Sequence, residues 1–348
     1  MTSEGIERVL TATHHAHPSN NQSGAIMQRR DFVSLASGTL IASVLQPNAT
    51  ASSGGAFNAA AFHKARRFAS TRFGRIAYVD RGGGDAVLFL HGFPLNGFQW
   101  RDAIDQLSGQ RRCIAPDFLG LGYTQVAAGQ GVAPLDQVAM LVALLDELNV
   151  RRADVIASDS GGAVAQLFVA RHPARVRTLL LTNCDAEFDY PLAALAPIIE
   201  LSRAGTFADD MLGIWAADTT LARSAQGIGG MCYSNAEHPT DEAIDTYFTP
   251  ILSTADAKHL VHAYALALEA NPLAGIEASL KLCRIPTRIV WGMADTIFSA
   301  ESPDYLARTF GNSHGVRKLA GARLFWPEER PDVIVEEAKA LWEEARDS

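Results

Sequence analysis

Cysteine is scarce and scattered: four in 348 residues, at Cys113, Cys184, Cys232 and Cys283. No C-x-x-C pair and no Cys/His cluster has metal-site spacing, so no thiolate metal module is expected. Four isolated cysteines read as small buried apolar residues. Basic residues are also in deficit, 30 Lys plus Arg against 38 Asp plus Glu, for a net charge of -8. No basic stripe is interleaved with aromatics, which argues against a nucleic-acid partner. Beyond the first 51 residues no apolar run is long enough to span a bilayer. There is no internal repeat. What remains is an ordinary globular composition, 48% hydrophobic and 20% charged, with ample length for one large core.

The N-terminus carries processing chemistry. Residues 1–26 are polar and show no amphipathic period. At Met27 the character changes: Arg29 and Arg30 precede a mildly apolar segment over 33–45, closed by Pro47 and the A-x-A-like Ala49, Thr50, Ala51. Charged, apolar and cleavage regions in that order make an export signal. The twin arginine resembles a Tat signal. This implies Met27 as the true start, the twin-arginine translocase as a partner during export, and a periplasmic or secreted mature chain with no membrane segment. Residues 1–51 are therefore set apart from the fold.

The stretch around which the chain is organised is ADVIASDSGGAVA, residues 153–165. A short apolar run meets Ser158, Asp159 and Ser160; Gly161 and Gly162 follow, and a helix-like apolar segment begins. This is the form of a nucleophile elbow, a strand, a sharp turn presenting one side chain, then a helix. The strained turn demands small residues two before and two after its apex. With Asp159 at the apex those positions hold Ala157 and Gly161; with Ser160 they hold Ser158 and Gly162. Ser158 is excluded as apex by bulky Ile156. Asp159 fits slightly better, and Ser160 stays open as the alternative nucleophile.

Around this turn the pattern alternates. Residues 67–71 and 75–80 read as a hairpin, and 86–90 (AVLFL) as a parallel strand covered on both faces. Trp100, Ile104 and Leu107 are spaced as on a helix. A strand over 112–115, a helix over 135–148, the elbow strand and helix, and a strand over 176–182 follow. From 186 to 278 there are helical patterns, prolines and no convincing strand. The alternation then resumes with a strand at 287–291, a helix at 303–310, a strand at 316–319 and a last helix at 331–345. Such alternation predicts an α/β fold, a mainly parallel eight-stranded sheet with helices on both faces. The core is expected over 62–185 and 279–348, with 186–278 inserted as a helical cap over the strand ends.

Four stretches carry a family resemblance: HGFP at 91–94, PDFLGLGYT at 116–124, ASDSGG at 157–162 and IPTRIVWGMADTIF at 285–298. In this order and spacing they resemble the α/β-hydrolase fold, on the epoxide hydrolase and haloalkane dehalogenase branch. The resemblance implies Asp159 as the nucleophile that forms a covalent alkyl ester. It implies Asp295 as the acid that orients a histidine, with Asp185 as a second candidate for that acid. Backbone N–H groups of Phe93 and Ser160 would form the oxyanion hole. His91 is read as a structural residue of that loop.

Two positions depart from the family. The water-activating histidine should lie about four residues before the Glu-Glu-x-Pro segment; in GARLFWPEERP, residues 321–331, that position holds Leu324. His314 precedes the last strand, and His259 and His262 lie in the expected cap. Ser160 stands where haloalkane dehalogenases usually carry a halide-binding tryptophan, and the HGFP form leans toward epoxide hydrolases, whose cap tyrosines protonate the opened ring. Tyr233, Tyr247 and Tyr264 are available for that task; Tyr247 and Trp100 are the candidates for substrate binding. The expected partner is a small, largely apolar molecule of the epoxide, haloalkane or ester type, and no cofactor or metal is indicated. A relative that binds such a ligand without turning it over is the alternative reading.

Overall fold

The computed structural model describes residues 57–190 and 192–345. The expected export signal over 1–51, with Arg29, Arg30 and Met27, lies outside the described residues.

Strands β1 (Arg66–Thr71) and β2 (Gly74–Arg81) form the antiparallel hairpin that the sequence predicts, Arg66 pairing with Val79. Gly74 turns it at φ +119, where a Cβ would also sit 2.0 Å from the Gln125 carbonyl oxygen, so only glycine fits. The parallel core is built from β3 (Ala86–Leu90), β4 (Arg112–Pro116), β6 (Ala153–Asp159), β7 (Val176–Cys184), β8 (Thr287–Gly292) and β9 (Ser313–Leu319). The order across the sheet is β1-β2-β4-β3-β6-β7-β8-β9. These are the eight expected strands. A ninth, the two-residue β5 (Gln125–Val126), pairs with β2 off this path and is too short to leave a periodic signal.

All five residues of β3 are buried. Successive side chains of a strand point to opposite faces, so both faces of the sheet are covered there. The covering helices pack in pairs, Arg101–Leu107 with Pro331–Glu344 and Pro134–Glu147 with Ser160–Arg171. All four cysteines are buried and free.

Between β7 and β8 the chain leaves the sheet for a run of helices, including Ala196–Arg203, Ile228–Cys232, Asp241–Leu252 and Ala255–Ala267. The two longest start on threonine caps: Thr240 Oγ1 accepts from the Ala243 N–H at 3.2 Å, and Thr254 Oγ1 from the Ala257 N–H at 3.0 Å. Residues of this insertion and of the strand ends face one another across a common cavity.

The Ser160–Arg171 helix can leave the end of β6 only because its first turn is bare. A Cβ on Gly161 would lie 2.5 Å from the His91 carbonyl oxygen, and one on Gly162 would lie 2.2 Å from Cys184 Cβ. Both neighbours belong to the packed core, where added volume costs about 1–3 kcal/mol. Gly162→Ala is therefore expected to lower stability by about that amount, read as a drop in the denaturant midpoint. An unchanged midpoint would show that the helix does not need this close approach to β7.

Candidate active site

Asp159 ends β6 with φ 56 and ψ -135, and it caps the helix that follows. Among the described residues only Asn149 shares a positive φ without being glycine. Such a conformation costs about 1–3 kcal/mol in a non-glycine residue and persists where its surroundings over-determine it. Here they do. Gly92 lies so close that a Cβ on it would be 2.7 Å from Asp159 Cβ. The side chain lines the cavity. The Ser160 N–H donates to Asp159 Oδ1, and the Phe93 N–H donates to the same carboxyl group.

These are the two N–H groups that the family resemblance points to, and the elbow and the HGFP loop aim both at one carboxylate. Burial pushes the Asp159 carboxyl up to about 7; the Ser160 N–H opposes that rise, Asp295 adds to it, and the Phe93 N–H opposes it.

A cavity with an open mouth stands above Asp159. Its walls are apolar: Leu195, Ile198, Phe207, Trp215, Met231 and Leu268 all come from the insertion. Polar atoms converge at the floor, from Asp159, Ser160 and Asp185. Leu324 lines the same cavity and is 2% exposed. Its side chain offers neither donor nor acceptor. Among the described residues, no histidine lines the cavity.

The histidines considered from the sequence lie elsewhere. His91 is fully buried, with Nδ1 2.9 Å from the Gly92 carbonyl oxygen and Nε2 accepting from the Phe118 N–H at 3.0 Å. His262 Nε2 accepts from the Ala208 N–H at 3.0 Å, and His259 is exposed. His314 lies on β9 with Nδ1 2.5 Å from a Glu344 carboxylate oxygen.

Asp295 follows β8, close enough for its charge to act on Asp159. Its Oδ1 accepts from the Ile297 N–H at 2.8 Å, and its Oδ2 accepts from Asn183 Nδ2 at 2.8 Å. Burial raises its pKa to about 6 against the pull of those bonds. Asn183 is a site residue that the sequence reading missed. It is fully buried on β7, accepts from the Gly292 N–H at 2.7 Å and from Trp326 Nε1 at 3.1 Å, and so ties β7, β8 and the Leu324 loop to Asp295. An asparagine inside an apolar strand (LLLTNC) is the signal that could have found it.

Asp185, one residue past β7, is 3% exposed and lines the cavity. Burial drives its pKa well up, and the nearby Asp159 drives it further. Ser160 Oγ lies 3.1 Å from Tyr264 Oη, and the Tyr264 ring stacks on Phe93 with centroids 5.4 Å apart. Tyr190 places a buried hydroxyl, with no hydrogen-bond partner, in the electrostatic neighbourhood of Asp185 and Asp159.

Two expectations are corrected. Tyr247 and Trp100 do not line the cavity. Tyr247 is 1% exposed and turns its ring edge to Phe98 on the core side of the insertion, where Arg101 and Glu328 act on it. Trp100 packs under the sheet against Phe89, with centroids 5.7 Å apart. Helical spacing identifies a buried face without saying which of two buried environments it meets, and the aromatic wall is made instead by Phe207 and Trp215.

Comparison with known proteins agrees with this fold. The alpha/beta hydrolase fold family matches residues 85–326. Haloalkane dehalogenase 2 of Mycobacterium tuberculosis is 28% identical over 276 residues, 78% of this chain and 92% of that protein. Epoxide hydrolase 1 of Caenorhabditis elegans is 23% identical over 283 residues, 76% of this chain and 67% of that protein. Among solved structures, a thermophilic esterase from Thermogutta terrifontis superposes with a TM-score of 0.65 at 23% identity, covering 80% of this chain and 98% of that one. The chain belongs to the alpha/beta hydrolase fold family, with its resemblance on the epoxide hydrolase and haloalkane dehalogenase-like branch.

Proposed function

We propose that this protein takes a small, largely apolar electrophile of the epoxide, haloalkane or ester type and captures it as a covalent ester on Asp159. One observation carries the reading. A carboxylate stands at the apex of the elbow, held by the Phe93 and Ser160 N–H groups, at the floor of an apolar cavity. A carboxylate in that setting attacks a saturated carbon from one side while the leaving group departs on the other. The two N–H groups then face the charge that develops on the ester carbonyl when water attacks it. The insertion acts as the cap that selects the substrate, and the twin-arginine segment supports action outside the cytoplasm.

Release is the slow half. Leu324 occupies the place of the water-activating histidine, and general-base catalysis is worth about 10²–10⁴ in rate. Capture therefore outruns hydrolysis, and the ester accumulates. Ser160 as nucleophile finds less support, because its hydroxyl meets Tyr264 and no base. Asp295, the acid of the family pattern, is engaged by Asn183.

Intact-mass measurement after incubation with an epoxide or bromoalkane is expected to show an adduct on Asp159 in the wild type and none in Asp159→Asn. Undiminished capture by Asp159→Asn would end the proposal, and saturable binding with no adduct would point to a ligand-binding relative. Only ionised Asp159 attacks, and burial holds its pKa near 7, so capture of a bromoalkane rises with pH and levels off above about 7. A rate already flat from pH 5 upward would contradict that. Leu324→His supplies the absent base and is expected to shorten the ester lifetime by about 100-fold or more; an unaltered lifetime would show that this position does not limit release.

A further inference from the structure

We propose that Asp185 is the proton donor to the oxygen that departs when Asp159 opens a strained oxygen ring, so that an epoxide is the substrate class this cavity serves best. The proposal rests on the reading of Asp159 as nucleophile and adds a second catalytic residue to it.

The geometry is that of a carboxyl pair in one apolar chamber. Asp159 pairs with Cys184 in the parallel register of β6 and β7, which makes Asp185 its neighbour at the strand ends. Both line the cavity, and among the described residues no lysine, arginine or histidine lines it with them. Two such groups do not ionise together, because the second charge meets both the apolar walls and the first charge. One proton is therefore shared unequally.

The donors decide where it sits. Asp159 receives two N–H groups, from Phe93 and Ser160. The Asp185 carboxyl receives one, from its own backbone N–H, while Gln166 Nε2 donates to the Asp185 carbonyl oxygen at 2.7 Å. The groups that face Asp185 are Asp159 on β6, Cys184 on β7, Asp189 and Tyr190 on the segment that follows, and Tyr264 on the insertion. None is a cation that would favour a second carboxylate. The resting pair is ionised Asp159 beside neutral Asp185.

Neutral Asp185 suits oxygen leaving groups. As an Asp159 oxygen bonds to a ring carbon, the C–O bond breaks and its electron pair goes to the ring oxygen, which takes the Asp185 proton. The products are a 2-hydroxyalkyl ester on Asp159 and a carboxylate on Asp185. That carboxylate now stands beside a neutral ester and no longer meets a like charge. In place of the absent histidine, and more slowly than an imidazole would, it accepts a proton from the water whose oxygen attacks the ester carbonyl. The diol alkoxide leaves and takes the proton of the newly formed Asp159 acid, which restores the starting pair. A bromide, by contrast, departs as an anion and uses no proton.

The test compares wild type with Asp185→Asn, an isostere of the neutral acid, using 1,2-epoxyhexane and 1-bromohexane, with capture on Asp159 followed by intact mass. Asp185→Asn is expected to slow epoxide capture by about 100-fold or more while changing bromohexane capture by less than about threefold. In the wild type, epoxide capture should also fall again at high pH as Asp185 loses its proton, a limb that bromohexane capture lacks. Epoxide capture at the wild-type rate by Asp185→Asn would overturn the proposal. So would equal loss of both probes, which marks a structural residue. Absence of any Asp159 adduct in the wild type with either probe would remove the nucleophile reading itself, a distinct failure.

Discussion

The left-handed backbone of Asp159 is the constraint on which the rest of the site depends. The conformation is costly for an aspartate, and it is held by contacts from three sides: Gly92 beneath the side chain, Gly161 against the end of β3, and Gly162 against Cys184 on β7. Each contact requires the absence of a side chain. The same crowding brings the N–H groups of Phe93 and Ser160 to the carboxylate, so the strain that exposes this side chain also gathers two donors around it. Position and electrostatics are set by one turn.

A second set of contacts fixes the chamber above it. Ser234 Oγ donates to the Gly321 carbonyl oxygen at 2.8 Å and accepts from the Arg323 N–H at 3.1 Å, and the Phe325 N–H donates to the Cys232 carbonyl oxygen at 2.9 Å. Below them Glu328, with a fully buried side chain, accepts from Tyr233 Oη at 2.5 Å and from Arg101 Nη1 at 2.7 Å. A buried charge losing its partner costs about 3–5 kcal/mol, so this trio resists separation. It joins the insertion, the first helix beyond β3, and the loop that carries Leu324. The apolar side chain at that position is thus held in the cavity wall by the framework around it.

How much of this was legible in the sequence depended on what each residue answers to. AVLFL in β3 and the small residues around Asp159 respond to local geometry, a doubly covered strand and a strained turn, and their positions followed from pattern alone. Leu324 was found by counting from a motif. The lining of the insertion was not legible. Its short helices are buried against the core on one side and the cavity on another, so Tyr247 and Phe207 look alike in hydrophobic spacing and part only in three dimensions. Asn183 was missed for another reason: the strand pattern was read to end at Thr182, and the residue just past it bonds three others with its side chain.

Asn183 also explains how Asp295 is held without a histidine beside it. Asp295 Oδ2 accepts from Asn183, and Oδ1 accepts from Ile297, so the carboxylate is satisfied within the loop and needs no imidazole to stay in place. It persists as part of the β7–β8 join. The Asp185 carboxyl joins nothing in this way, and Asp159 caps its helix only from a strained backbone. For Asp159 and Asp295 the folded pKa lies above the ordinary carboxylate value, near 7 and near 6. The stability linked to those protons is complete below about pH 4 and is lost as pH rises through those folded values. At neutral pH these buried carboxyls therefore weaken the fold. Asp295 offsets that cost through its hydrogen bonds to β7. The cavity pair has only the Phe93 and Ser160 N–H groups and one backbone N–H of its own. Two carboxyls kept in one apolar cavity with so few donors are what a site maintained for chemistry requires.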